Sequence, residues 1–203
     1  MNYDQFKNMS CYEEFDMQCT LAGISKIDAL RRIGHRKHNY YFFISKDGIF
    51  NWFDLKGNHI KDPGILKELK EEYVPKNITK CIIPNSVTYI GDSAFYNCIF
   101  LKEITIPNSV IYIDRYTFYD CASLTSITIP DSVKQIGDYA FSYCDSLTSI
   151  TISNNINFLG YRTFWYCDSL KEVIFKGKTL DEVKQMENYP FKIKDESITK
   201  CES

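Results

Sequence analysis

The sequence has few of the features on which catalytic and metal-binding sites are built. Its three histidines, His35, His38 and His59, stand beside no serine or cysteine in a nucleophile motif. It has no glycine-rich phosphate loop and no Cys-x-x-Cys pair, the spacing in which zinc ligands are commonly arranged. We therefore expect no enzymatic activity, no catalytic residues, no metal site and no cofactor.

Strong charge and long apolar runs are also scarce. The formal net charge is −2, which argues against nucleic acid as a partner because phosphate binding needs a local cationic excess. The short basic run 31–38 could be such a patch, but it is more typical of a solvated helix end. No stretch approaches the roughly 20 apolar residues that span a bilayer.

The beginning of the sequence has no recognisable export signal. Its first residues lack the charged segment followed by an apolar core that a secretory signal requires. By sequence, we therefore expect a cytoplasmic protein with reduced thiols.

The sequence does contain one pattern of residues that occurs four times. Cysteines recur every 23 residues, and other columns of the same repeat hold large apolar residues at the same step. These columns are Cys98, Cys121, Cys144, Cys167; Val87, Val110, Val133, Ile156; Ile90, Ile113, Ile136, Leu159; Phe95, Phe118, Phe141, Phe164; and Leu101, Leu124, Leu147, Leu170. A fixed period in the range of about 20–50 residues indicates a stacked array of structural repeats.

The repeat cysteines form a column rather than a cluster. Stacked repeats place equivalent atoms about 4.8 Å apart in a line, whereas zinc needs four ligands that converge tetrahedrally. We therefore interpret the column as small buried side chains.

Each repeat is predicted to contain a turn at its Pro-Asn or Pro-Asp pair, a bend, a short helical turn through Ala-Phe, and a strand. In the first such strand, Ile104 and Ile106 should point inward while Glu103 and Thr105 point outward. Cys81 falls in register with Ile104, so a partial strand is expected before the first full copy.

The pattern Leu-x-x-Ile-x-Ile-Pro-x-x-Val-x-x-Ile-Gly-x-x-Ala-Phe-x-x-Cys over residues 78–175 resembles the BspA-like leucine-rich repeat. The resemblance implies a right-handed solenoid with a parallel sheet on one face. It also implies a family often found on microbial cell surfaces and associated with adhesion and protein binding, so by resemblance the protein would be surface-associated or particle-associated.

We therefore predict an α/β repeat protein, a short leucine-rich-repeat solenoid with a parallel β-sheet over residues 77–176. Residues 1–76 would form a small α+β N-terminal module that caps the array, and residues 177–203 a C-terminal helical cap. The C-terminal helix should start at the capping box Thr179–Glu182, run to about Asn188, and precede a strand at 197–201.

Four elements are predicted inside the N-terminal module. Residues 3–11 could present one face of a short helix, and apolar spacing predicts a helix begun near Ser25. Two aromatic runs around Lys46-Asp47-Gly48 predict a β-hairpin. Asp62-Pro63 has the residues of a helix start, predicting a helix over 65–73.

Two solenoid surfaces are candidates for binding a protein partner whose identity the sequence does not reveal. The first is the outward face of the sheet: Lys102, Glu103, Thr105, Thr125, Ser126, Thr128, Thr148, Ser149, Thr151, Lys171 and Glu172. The second is an aromatic side: Tyr89, Tyr96, Tyr112, Tyr119, Phe158 and Trp165. Aromatic side chains are favoured at protein contacts, but these rings could equally shield the loops between repeats.

The predicted function is accordingly a non-enzymatic protein that binds a protein partner through one solenoid face, with a role in adhesion or surface recognition. The alternative is a structural component or spacer of a larger assembly, in which residues 1–76 dock to a partner. The oligomeric state is left open.

Overall fold

The N-terminal part of the chain forms a helix and an antiparallel sheet. The computed structural model describes residues 15, 19–23, 25–37, 40–45, 48–56 and 58–202. Helix α1 (Lys26–Ile33) precedes strands β1 (His35–Lys37), β2 (Tyr40–Ile44), β3 (Phe50–Asp54) and β4 (His59–Ile60), which pair in that order.

The predicted helix start and hairpin are both confirmed. Ser25 caps α1, since its hydroxyl accepts the N–H of Asp28. Strands β2 and β3 pair antiparallel, with Phe42 opposite Trp52. The predicted turn residues 46 and 47, and the predicted helix face at 3–11, lie outside the described residues.

The rest of the chain winds into coils, and each coil except the last contributes one strand to each of two sets of parallel strands. We call the first ladder sheet A: β6 (Lys80–Ile82), β8 (Glu103–Thr105), β10 (Ser126–Thr128), β12 (Ser149–Ile152), β14 (Glu172–Lys176) and β15 (Thr199–Glu202). Sheet B contains β5 (Glu68–Leu69), β7 (Tyr89–Ile90), β9 (Tyr112–Ile113), β11 (Gln135–Ile136) and β13 (Phe158–Leu159). The predicted parallel solenoid is thus confirmed, and sheet B is an addition that the sequence pattern did not predict.

Sheet A keeps the register that the 23-residue step predicts. Ser126 lies opposite Ser149, which lies opposite Glu172. Cys81 lies opposite Ile104, as expected for a partial strand before the first copy. The ladder is interrupted at one place, because β8 pairs with β6 and β10 pairs with β12, but β8 and β10 do not pair with each other.

The predicted helical turn through Ala-Phe is wrong. This segment is instead a tight turn in which two residues have positive φ, such as Ser93 (59°) and Asn97 (57°). Left-handed residues break the helical course of the backbone. The amides then bond to the next coil: the N–H of Phe95 donates to the carbonyl of Thr117 at 2.8 Å.

The predicted helix over 65–73 is also wrong. The Asp62-Pro63 pair, which was expected to start the helix, instead forms a turn in which the Asp62 carboxylate accepts the N–H of Gly64 at 2.8 Å. Glu68–Leu69 then forms β5 and pairs with β7, and a short 3-10 helix follows at Glu71–Tyr73. Leu66 and Leu69 are fully buried, so burial against the first coil and pairing with sheet B outweigh the local capping preference.

The C-terminal segment continues the coils. The capping box at Thr179 is confirmed, but helix α2 (Leu180–Lys184) ends earlier than expected, and Asn188 turns the chain with φ 68°. After a 3-10 helix (Glu196–Ile198), β15 pairs with β14.

One hydrophobic core extends from Phe42 in the antiparallel sheet to Phe191 near the C-terminus. Its centre is a stack of phenylalanines. Ring centroids are 5.2 Å apart from Phe95 to Phe118 and from Phe118 to Phe141, and 5.9 Å apart from Phe141 to Phe164.

The cysteine column is buried beside this stack, as the sequence predicts. The thiols of Cys121, Cys144 and Cys167 also donate hydrogen bonds to a backbone carbonyl of the preceding coil: Cys144 Sγ lies 3.1 Å from the Phe118 oxygen, and Cys167 Sγ 2.9 Å from that of Phe141. Burial raises the pKa of Cys98 to about 11 and that of Cys167 to about 12.

These thiols predict an alkaline loss of stability. An unfolded thiol has a pKa of about 8.5, so the unfolded chain releases protons first as the pH rises. We expect the free energy of unfolding, measured with urea, to be retained below about pH 8.5 and to fall as the pH rises toward 11. Cys98→Ala should make the fall shallower. A profile that is flat through pH 10 in the unsubstituted protein would contradict this.

Candidate binding surfaces

The predicted sheet-face residues lie on the outer side of sheet A or just before its strands: Lys102, Glu103, Thr105, Thr125, Ser126, Thr128, Thr148, Ser149, Thr151, Lys171 and Glu172. The intervening Ile127 and Ile150 are buried, which confirms the alternation. Two of the carboxylates are already paired, Glu103 with Lys80 at 3.0 Å and Glu172 with Lys200. The face is therefore a row of small hydroxyl groups with little unpaired negative charge.

The interruption of sheet A forms a groove of about 790 Å³ on this face. Elsewhere the N–H of Lys102 bonds to Thr79 at 2.9 Å and that of Thr148 to Thr125 at 2.8 Å. Within the stretch 58–202, the equivalent bond from Thr125 to Lys102 is missing. Ile104 is correspondingly half-buried, whereas its equivalents Cys81, Ile127, Ile150 and Val173 are buried. The groove thus offers an apolar slot between hydroxyl-bearing strands.

The predicted aromatic side divides into two separate places. Tyr89, Tyr112 and Phe158 lie on sheet B, beside a groove of about 270 Å³. The rings of Tyr89 and Tyr112 are 6.1 Å apart. The Tyr89 hydroxyl donates to the carboxylate of Asp114, and burial is the main reason that its pKa is raised to about 12. This hydrogen bond holds Tyr89 against the next coil.

Tyr96, Tyr119 and Trp165 lie in the tight turns, where five further tyrosines join them. We call the whole set the aromatic cluster: Tyr96, Tyr116, Tyr119, Tyr139, Tyr143, Tyr161, Trp165 and Tyr166. Every ring is at least partly exposed. Ring contacts connect the cluster across all four coils of the repeat. No ring contact among the described residues connects it to the rings on sheet B.

The cluster is pre-assembled by stacking between coils. The rings of Tyr96 and Tyr119 stack 5.1 Å apart at an interplanar angle of 10°, and those of Tyr116 and Tyr139 stack 5.1 Å apart at 8°. At the far end, Trp165 and Tyr166 have ring centroids 4.6 Å apart. Rings held in this way lose little freedom when another surface covers them.

Four of these tyrosines occupy backbone positions that disfavour large side chains. Tyr116, Tyr139, Tyr143 and Tyr166 have φ between 54° and 61°, a left-handed region that is costly for bulky residues and usual for glycine and asparagine. In the first coil, Ser93 and Asn97 occupy the equivalent positions of the turn, also with positive φ. The turn itself therefore does not require rings at these positions.

The sequence contained a signal for these residues. At the 23-residue step, Tyr116 and Tyr139 share one column, and Tyr143 and Tyr166 share another. The aromatic residues predicted from the sequence came from two other columns of the repeat and did not include these two.

Comparison with known proteins identifies the repeat. The profile of the BspA type leucine rich repeat region (6 copies) matches residues 70–196. A search of curated protein sequences found no match.

Solved structures have the same fold. A leucine rich cell surface protein from Faecalibacterium prausnitzii is 22% identical with a TM-score of 0.60, over 76% of this chain and 42% of that one. The T. pallidum leucine rich repeat protein is 24% identical with a TM-score of 0.54, over 69% and 70%. The pneumococcal vaccine antigen PcpA is 31% identical with a TM-score of 0.53, over 73% and 38%. The chain thus spans about two fifths of the length of the first and third of these proteins.

Two kinds of feature are absent from the part of the chain that the structure describes. None of its helices combines the length and apolar character needed to cross a bilayer. Its His, Cys, Asp and Glu side chains include no group of three or more placed to hold a metal ion.

Proposed function

The chain belongs to the BspA type leucine-rich repeat family, and we propose that it is a non-enzymatic binding protein whose aromatic cluster contacts a protein partner. The observation that supports this most is the cluster itself, a contiguous set of partly exposed rings spread over four coils. Tyrosine and tryptophan are enriched among the residues that contribute most to protein binding, because they bury a large area for few rotatable bonds.

A role at a microbial surface, in adhesion or recognition, is part of the proposal. It is supported by the family and by the names of two structural relatives, a cell surface protein and a vaccine antigen. The stacked coils suit such a role, since they hold equivalent side chains at regular intervals over an extended surface.

The outer face of sheet A is the second candidate surface. The groove between β8 and β10 favours it, because Ile104 is accessible there between exposed Thr105 and Ser126. Small hydroxyl side chains bury less area than rings, so we rank this face second.

The test compares the two surfaces in otherwise intact protein. The cluster variant carries Tyr96→Ser, Tyr119→Ser and Tyr143→Asn. These replacements copy the chain's own residues, because Ser142 and Asn97 occupy the same columns in other coils. The face variant replaces Glu103, Thr105, Ser126, Thr128, Ser149 and Thr151 together by alanine. Partners captured by the unsubstituted protein from the cells that make it and from their growth surface are identified, purified and titrated.

We expect the cluster variant to bind the purified partner about 100-fold more weakly, because truncating a central ring typically costs about 2 kcal/mol or more and neighbouring losses are not additive. The face variant should change the affinity less than about threefold. The reverse pattern would assign binding to the groove on sheet A. Unchanged binding by both variants would indicate that the partner binds residues 1–76.

A further inference from the structure

The aromatic cluster ends in a cleft of about 950 Å³ between the last repeat turn and the C-terminal segment 188–198. The cleft is large enough for a small ligand or a few residues of a peptide. Tyr161, Trp165, Tyr166 and Tyr189 contribute aromatic walls. Three of these rings belong to the aromatic cluster, so the cleft and the cluster form one continuous surface.

Cations outnumber carboxylates along the cleft. Its charged lining residues are Arg162, Lys171, Lys192, Lys194, Asp168 and Asp195. Both carboxylates are already engaged. Asp168 pairs with Lys194 at 3.3 Å, and Asp195 accepts the N–H of Ser197 at 2.9 Å. Hydrogen bonds from the Ser197 side chain and then from its backbone hold the Asp195 pKa below its ordinary value.

Three cations are therefore left over. Within residues 58–202, Arg162, Lys171 and Lys192 have no carboxylate within 4.0 Å. The lining as a whole carries four positive and two negative charges, and this excess of positive charge is complementary to an anionic ligand.

Contacts with aromatic rings hold the side chain of Arg162 in position. Its Cζ lies 4.2 Å from the ring centroid of Trp165 and 4.9 Å from that of Tyr161. Its Nε is buried and has no hydrogen-bond partner. A guanidinium held in one place is suited to receive a carboxylate through two parallel hydrogen bonds.

We propose that this cleft binds an acidic peptide segment of the protein partner. Arg162 binds a carboxylate, Lys171 and Lys192 supply the surrounding positive charge, and an apolar side chain beside the carboxylate packs on Trp165 and Tyr166. This inference rests on the proposed function, because it makes the cleft the end of the same interface. A peptide fits this cleft because it can place an apolar side chain on the rings and a carboxylate on the guanidinium of Arg162. A nucleic acid strand would need cations along the whole length of its contact with the protein.

The chain carries a convenient optical probe of the cleft. It has two tryptophans. Trp52 is 1% exposed in the core of the antiparallel sheet, whereas Trp165 lines the cleft. In a Trp52→Phe background, tryptophan fluorescence therefore reports on the cleft alone.

The experiment titrates the full chain carrying Trp52→Phe with an eight-residue peptide of alternating glutamate and phenylalanine, and with its glutamine counterpart. We expect a saturable change in Trp165 fluorescence with the acidic peptide and at least tenfold weaker binding of the glutamine peptide. Arg162→Gln should weaken the acidic peptide at least tenfold, and Arg162→Lys should fall between, since lysine keeps the charge but not the fork.

Lys134→Gln is the matched control, because it removes one charge from an exposed position that does not line the cleft. Equal weakening by Lys134→Gln and Arg162→Gln would overturn the proposal, since only overall charge would then matter. Equal binding of the glutamine peptide would also overturn it. So would tighter binding of dextran sulfate or a thymidine oligonucleotide, which would assign the cleft to another class of ligand. Circular dichroism melts of each variant exclude unfolding as the cause.

The partner titration separates this inference from the proposed function. If the cluster variant loses the partner but Arg162→Gln keeps it, the proposed function stands and the cleft proposal fails. If the acidic peptide binds through Arg162 but the cluster variant keeps its partner, the cleft proposal stands as a site separate from the main interface.

Discussion

Replacing Phe118 by alanine should lower the free energy of unfolding by about 3–5 kcal/mol. The ring is fully buried and lies between Phe95 and Phe141, each 5.2 Å away between centroids. Its removal opens a cavity in the middle of the stack, where neither neighbouring coil can close on the gap without breaking its own backbone bonds. Urea denaturation followed by circular dichroism measures the effect.

Phe118→Leu is the control for the cavity. It keeps most of the buried volume and should cost less than about 1.5 kcal/mol if the packing adjusts. In a repeat array each coil is stabilised by its neighbours, so the alanine variant should also unfold less cooperatively. A loss below about 1 kcal/mol for Phe118→Ala would show that this column is not the core.

Replacing Gly160 by alanine should cost about 3 kcal/mol or more, through overlap rather than a cavity. A Cβ at Gly160 would lie 2.3 Å from the backbone nitrogen of Asp138 and 2.4 Å from the carbonyl carbon of Gly137. No flexible side chain can move aside, so the two coils must separate. Thermal and urea denaturation give the loss of stability.

The same change should disturb the cleft, because Gly160 directly precedes Tyr161 and Arg162. We expect weaker binding of the acidic peptide together with the loss of stability. Asp114→Ala is the matched control, since Asp114 occupies the same column with a Cβ already in place. It removes the hydrogen bond from Tyr89 and should cost only about 1 kcal/mol. Similar costs for the two variants would argue against steric overlap as the cause.

Two departures from the sequence prediction have one physical origin. The helix expected over 65–73 and the helical turn expected in each repeat were inferred from local preferences, a capping pair in one case and an Ala-Phe segment in the other. In the structure, Leu69 pairs into sheet B and Phe95 bonds to the next coil. Backbone bonds between coils replaced bonds within a helix because the neighbouring coil supplies backbone partners for both segments.

The candidate sites also differ in how far the sequence predicted them. The sheet face was predicted because alternation along a strand decides which side chains point outward. The aromatic cluster was only partly predicted, because its connecting tyrosines depend on left-handed turns that place rings from neighbouring coils in contact. The cleft had no signal in the repeat, since one of its walls comes from residues 188–198, outside the 23-residue period.

The 23-residue period by itself determined the stacked coils, the register of sheet A and the buried columns of phenylalanine and cysteine, because repetition brings each residue next to its own equivalents. Only the tertiary structure decided where the ladder is interrupted, which rings form one surface, and that Arg162 lies above Trp165 with no carboxylate partner among the described residues 58–202. These features depend on turn geometry and on contacts between segments that share no period, and such contacts exist only once the chain has folded.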